Sequence, residues 1–285
     1  MVRATKRMKR EKPELVWAAF LSFAALSAPT YCGYAQTTSL PSVERALQTS
    51  AQPSSISTYQ MQQFLMARIP PLPHPADAQA WKVEAERLRN HTLNDVAYHG
   101  WPRDWVVSPP HFEQVGVIET RHGYRIRKLR YEIVPGFEST ALLYEPTTVS
   151  GPVPAILNVL GHEPVGTAVE YEQKRCINFA KRGIVALNLQ WPAFGELSQV
   201  GNRHDYAAQL KLVGSNALGF FYLAMRHGLD YLATLPRVDV QRIGMTGLSG
   251  GGWQTVMLSA LDERIAVAAE VAGVGSRESN LTRPA

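Results

Sequence analysis

The spacing of apolar and polar positions changes character along this chain. Residues 154–160, 184–189, 242–246 and 265–271 are short apolar runs, the pattern of strands covered on both faces. Between them, 169–182 and 216–235 repeat with helical spacing, and the first of these stops at Gly183, a residue suited to the left-handed turn that ends helices. Another helical stretch, 252–260, precedes the last run. Alternation of this kind predicts an α/β architecture: a mostly parallel, doubly wound sheet with right-handed crossovers and helices on both faces. Upstream, 115–119, 124–134 and 139–144 are strand-like. They are divided by Arg121-His122-Gly123 and Pro135-Gly136, which read as turns.

The first 111 residues follow other patterns. Helical spacing over 59–68 and 76–90, broken by the prolines between 70 and 75, predicts a helical N-terminal region, 59–111, packed on the main body and without visible chemistry. Residues 36–58, rich in Ser, Thr, Gln and Pro, read as a flexible linker. Before them lie a basic run to Lys12, an apolar stretch over 15–26 and the small-residue site Gly33-Tyr34-Ala35. These are the parts of a secretory signal peptide, 1–35, cleaved after Ala35, which predicts a secreted or periplasmic protein. The apolar stretch is shorter than the roughly 20 residues a spanning helix needs, so no stable membrane span is expected after cleavage. Residues 112–285 form the α/β core.

Charge first suggests nucleic acid, with a formal +5 from 29 Lys+Arg against 24 Asp+Glu. Six of the basic and only two of the acidic residues fall in the first 35, however, so the remainder is close to neutral, which excludes a phosphate-backbone binder. The strand 125–131 interleaves basic with apolar residues and reads as a solvated strand face. With Cys32 removed, Cys176 stands alone and reads as a small buried apolar side chain. The histidines are scattered without metal-ligand spacing, so neither metal nor cofactor is expected.

The chemistry concentrates in Gly247-Leu248-Ser249-Gly250-Gly251, a G-x-S-x-G run between a strand and a helix. A sharp strand-to-helix turn needs backbone conformations that side chains resist, hence the glycines. It lifts a serine hydroxyl above the sheet and sets the next amide at a helix N-terminus. Ser249 is the candidate nucleophile, with the Gly250 amide as one oxyanion donor. Gly161-His162-Glu163 follows another strand and could supply the second donor, from His162 or from Glu163; alternatively His162 only shapes its turn. Gln190-Trp191, after a third strand, and His204 are candidate pocket residues. All eight histidines precede Ser249, and the 36 residues after it hold acids but no histidine, so the usual acid and base of a triad are not found there.

The run from Arg242 to Thr255, Gly161-His162-Glu163 and the segment from Lys174 to Asn188 resemble secreted bacterial α/β hydrolases of the acetyl xylan esterase-like kind, over roughly 112–275. The resemblance implies ester hydrolysis through an acyl-serine, on a small-molecule or carbohydrate ester such as an acetylated polysaccharide. It also implies that the core is incomplete at its C-terminus. Well-defined acetyl xylan esterases carry R-G-Q where this chain has Gln190-Trp191-Pro192, and G-x-S-Q-G where it has Gly250. Two other readings stand beside this one: a non-catalytic remnant that keeps the fold without the triad histidine, and a prolyl-oligopeptidase-like peptidase. Gly250 in place of an aromatic, and a short helical N-terminus in place of a propeller, disfavour the peptidase.

Overall fold

The computed structural model describes residues 41–198, 204–276 and 279. The signal-peptide expectation falls outside them, and among them no helix is long and apolar enough to cross a membrane. The chain divides into two compact units, Met1–Ser57 and Thr58–Ala285. In the first, the stretch expected to be a flexible linker contains a helix, α1 (Pro41–Gln48). Pro41 suits the first turn, where an N–H has no partner to lose, and Glu44 lies near the positive helix end. Ser/Gln composition thus concealed eight residues of favourable helical pattern.

The second unit begins with α2 (Ile56–Met66) and α3 (Ala78–His91). Asp77 caps α3 by accepting a hydrogen bond from the Ala80 amide at 2.8 Å, and the helix runs on into a π-helical turn, Thr92–Ala97. A short helix, α4 (Arg103–Val107), completes the region. Its main anchor is Arg226, which donates to the Val106 carbonyl at 2.7 Å and to the Tyr98 hydroxyl at 3.3 Å.

The core is one seven-stranded sheet. Its strands are β1 (His111–Glu119), β2 (Tyr124–Val134), β3 (Phe137–Pro146), β4 (Val153–Val159), β5 (Val185–Leu189), β6 (Val238–Leu248) and β7 (Ile265–Val271), in the order β1-β2-β3-β5-β4-β6-β7. The first three form an antiparallel meander, β3 runs antiparallel to β5, and β5-β4-β6-β7 are parallel. The parallel half is therefore the part the alternating sequence pattern describes. Helices α5 (Glu170–Lys181), α6 (Ala217–Thr234) and α7 (Gly250–Leu261) make the crossovers. Residue parity separates the faces. Leu129, Tyr131, Leu143 and Leu187 join Leu223, Leu229 and Leu258 of α6 and α7 in the main core. Tyr124, Ile126, Tyr144 and Ala186 pack with Cys176 and Ala180 of α5 in a smaller one. Each fully buried leucine contributes about 1.5–3 kcal/mol, so α6 is held by its apolar stripe more than by helix propensity.

Arg125 and Arg127, two of the four basic positions of β2, clamp Glu145 of β3 at 2.9 and 2.7 Å. Glu145 is 5% exposed. Burial alone would raise its carboxyl, but the two guanidinium groups hold it below its ordinary value of 4.5. A carboxylate with a lowered folded pKa stabilises the protein above its unfolded pKa and loses that contribution as pH falls through the folded value. Acid unfolding followed by circular dichroism should therefore begin below pH 4.5 in the wild type, and Glu145→Gln should flatten that limb while lowering stability at pH 7. An unchanged acid limb in the variant would assign the loss to other carboxylates.

Candidate active site

Strand register fixes what meets at the carboxyl edge of the parallel strands. Val159 of β4 pairs with Leu189 of β5 on one side and Gly247 of β6 on the other. Two residues further along each strand stand Gly161, Trp191 and Ser249, so three segments noted separately in the sequence reach the same rim.

Ser249 is the turn between β6 and α7, with φ 58° and ψ −116°. This is a sparsely populated conformation for a residue with a Cβ, and such strain costs of order 1–3 kcal/mol. It is held from both sides: the Ser249 amide donates to the Val271 carbonyl at 2.8 Å, and its carbonyl accepts from Trp253 at 3.1 Å. The glycines around it are required by close approach. A Cβ on Gly251 would stand 2.2 Å from the Val159 carbonyl oxygen, and one on Gly247 would stand 2.5 Å from the same atom. No side chain fits between the elbow and β4.

Gly161 lies directly against the start of α7. A Cβ there would stand 3.0 Å from the Gly250 nitrogen and 3.4 Å from that of Gly251. These are first-turn amides, which have no acceptor within their helix. The missing side chain thus leaves open the space that they face. The Glu163 amide, one of two candidates for the second donor, is committed to the Gly161 carbonyl at 2.9 Å, and the Glu163 carbonyl accepts from Gly166. His162, the other candidate, is the one of the pair in the lining of the pocket in front of Ser249. Tyr171 of α5 donates to Glu163 Oε1 at 3.1 Å and so ties the loop down. Burial and the neighbouring Glu172 and Glu163 keep the Tyr171 phenol protonated by pushing its pKa up.

The pocket in front of Ser249 has a volume of about 540 Å³ and is lined by His162, Trp191, Phe221, Trp253, Ala217 and Ala272, among others. Trp191 packs on Phe221 with ring centroids 4.8 Å apart and meets Trp253 edge-on at 6.4 Å. His162 lies 6.1 Å from the Trp191 ring and meets Phe194 edge-on at 5.6 Å. The structure therefore brings Ser249, Gly250, His162 and Trp191 together. It does not bring Gln190 into the pocket. Gln190 is buried on the other side of the strand end, where its Oε1 accepts from the Thr167 amide at 3.0 Å and the Thr167 hydroxyl at 3.2 Å. The parity of β5 decides this, because adjacent residues in an extended chain face opposite ways. His204 opens a 3₁₀ segment, His204–Val213, and its side chain lies outside the described residues. Phe221, Ala217 and Trp253 were missed in the sequence. A crossover helix must start at the rim where its preceding strand ends, so the first turn of α6 could have been read as pocket lining.

Gln190 holds two close-packed glycine turns, Gly166 and Gly195, against the strand end. Gln190→Ala should strand the Thr167 amide in a buried position and cost about 1–3 kcal/mol. A thermal melt should record this as a fall of several degrees in Tm, and an unchanged Tm would remove the latch role.

Beneath the rim, Asn158 and Asn188 share a hydrogen bond of 2.9 Å, Asn158 also donates to Glu172, and Arg175 donates to Asn158 Oδ1 at 3.0 Å. This buried polar layer locks α5 to the two strands that carry Gly161 and Trp191. Among the described residues no cluster of His, Cys, Asp and Glu could hold a metal ion.

No protein-family model matches the chain, and no curated protein matches it in sequence. Solved structures do match. One is a protein of Bacteroides fragilis NCTC 9343 whose name assigns it as an acetyl xylan esterase; it has a TM-score of 0.61 and 23% identity over 75% of this chain and 60% of that one. The methylesterase BT1017 has a TM-score of 0.58 and 26% identity over 79% of this chain and 49% of its own. The chain has the α/β-hydrolase fold. Acetyl xylan esterase 1 from Thermoanaerobacterium sp. JW/SL YS485 is more distant, with a TM-score of 0.50 and 17% identity over 73% of this chain and 62% of that one. The chain spans about half to three fifths of the length of the first two structures. In this hydrolase fold, the turn after β6 carries Ser249 and the loop after β4 carries Gly161 and His162.

Proposed function

We propose that this protein is an exported serine-dependent carboxylic ester hydrolase acting through an acyl-serine. The observation that carries the reading is the strained Ser249 backbone, at φ 58°, beside first-turn amides that face a glycine-made gap at Gly161. In the reaction, Ser249 Oγ attacks the ester carbonyl carbon while its proton passes to a base. The carbonyl oxygen becomes an oxyanion that accepts from the Gly250 and His162 amides. Collapse breaks the carbon–oxygen bond to the alcohol, which leaves with the proton, and water then releases the acid from the acyl-serine. The acetyl xylan in the names of two of the similar structures supports deacetylation of a polysaccharide as the substrate class, and the methylesterase name adds only that a small ester group is involved.

A second reading has its own observation. Among the described residues no histidine–carboxylate pair faces Ser249, and His162 is the imidazole in the lining of its pocket. A non-catalytic protein with this fold would have the same features. A fluorophosphonate probe followed by peptide mass spectrometry separates the two. Covalent modification of Ser249, absent after heat denaturation, is the expected result. An unmodified Ser249 in folded protein would favour the non-catalytic reading.

A further inference from the structure

A second cavity adjoins the Ser249 pocket. It measures about 520 Å³, within the range of small-molecule sites. Its walls come from the β2–β3 turn (Phe137), the segment after Trp191 (Pro192), the 3₁₀ segment (Tyr206, Val213) and the start of α6 (Phe220, Phe221). Phe221 lines both cavities, and the Trp191 ring, which lines the first, packs on it at 4.8 Å. The two spaces are thus neighbours on either side of Phe221.

The chemistry of the second cavity is apolar. Phe137 meets Phe220 edge-on at 5.5 Å, and Phe137, Tyr206 and Val213 expose 48%, 69% and 75% of their surface. The one carboxylate in the lining, Glu138, is engaged by Arg130 at 3.8 Å on the sheet. Only Gln209 and the Tyr206 hydroxyl remain as polar side chains of the lining, too few to satisfy the ring of hydroxyls on a sugar. Among the described residues the Trp191 indole nitrogen is buried and has no hydrogen-bond partner.

We propose that this cavity is a second subsite, taking an aryl or alkyl arm of the ester whose carbonyl sits at Ser249. The proposal rests on the ester-hydrolase reading alone, and where it holds it replaces the acetylated polysaccharide as substrate by an ester with one apolar arm. An apolar arm moves aromatic and aliphatic surface out of water at a cavity already shaped for it, and the binding follows the area covered.

The test uses Ser249→Ala protein, so that binding is read without turnover, and 1-naphthol as the ligand in isothermal titration calorimetry. Naphthol should bind at one site. Ala207→Trp, which fills the cavity from its half-buried wall, should weaken binding roughly tenfold or more. Val213→Glu, an exposed position at the mouth, serves as the second variant if Ala207→Trp lowers Tm. Binding of xylobiose that Ala207→Trp abolishes, with no binding of naphthol, would replace the apolar subsite by a carbohydrate one. Absent naphthol binding, or binding insensitive to both variants, overturns the proposal. Failure of Ser249 labelling with naphthol binding intact would instead remove the hydrolase reading and leave the cavity as a binding site.

Discussion

Replacing Ser249 by alanine is expected to bring hydrolysis of a short aryl ester to background, a loss on the order of 10⁴-fold or more. In the proposed reaction the hydroxyl is the group that becomes acylated, and among the described residues no other hydroxyl lines the pocket beside it. The backbone argument sharpens the test. Alanine keeps a Cβ at φ 58°, so Ser249→Ala retains the strain of the turn, whereas Ser249→Gly releases it. Both variants should be inactive, and Ser249→Gly should be the more stable by the strain released, of order 1–3 kcal/mol, less about 0.4–1 kcal/mol for the freer unfolded glycine chain. Initial rates and urea unfolding on the three proteins read both effects. Turnover retained by either variant would remove Ser249 as nucleophile. Equal loss of activity with equal stabilities would keep the chemistry and remove the strain.

The parallel half of the fold was legible from its short apolar runs separated by helical stretches. Two of those strands, β4 and β5, are buried along most of their length. Ile265–Val271 was bounded correctly from its sequence alone, although β7 is an exposed edge strand rather than one covered on both faces. The same clarity extends to the elbow, where Gly247 and Gly251 are demanded by backbone contacts shorter than 3 Å. The misreadings have physical causes. The helix Pro41–Gln48 inside the expected linker was overlooked because composition was weighed above local pattern, while Pro41 and Glu44 favour a helix start. Gln190 was placed in the pocket because it neighbours Trp191, although one step along an extended chain reverses the direction of the side chain. Phe221 and Trp253 were overlooked because they sit on helices, and nothing in a helical pattern says which end meets the rim until the sheet order is known. Glu163 could not be separated from His162 as an amide donor, since a turn that consumes one N–H leaves no mark on residue type.

Gly161→Ala is expected to produce the other large effect, and it isolates the oxyanion site from the nucleophile. The added methyl would stand 2.7 Å from the Leu248 carbonyl oxygen and 3.0 Å from the Gly250 nitrogen. Both contacts are to backbone, so neither can be relieved by turning a side chain. The loop after β4 must then retreat from the start of α7, carrying the His162 amide with it, and the methyl occupies the gap where the oxyanion would sit. Loss of one oxyanion donor costs roughly 10²–10³ in kcat, because the interaction is stronger in the transition state than with bound substrate. The overpacking itself should cost about 1–3 kcal/mol of stability. KM should change little, since the aromatic walls of Trp191, Phe221 and Trp253 are untouched. Gly251→Ala provides the contrast: its methyl would stand 2.2 Å from the Val159 carbonyl oxygen, between the elbow and β4, and should damage the fold first. Steady-state kinetics and melting curves on the two variants distinguish them. A folded Gly161→Ala protein with wild-type kcat would mean that the gap at Gly161 is only a packing solution and that the oxyanion is held elsewhere.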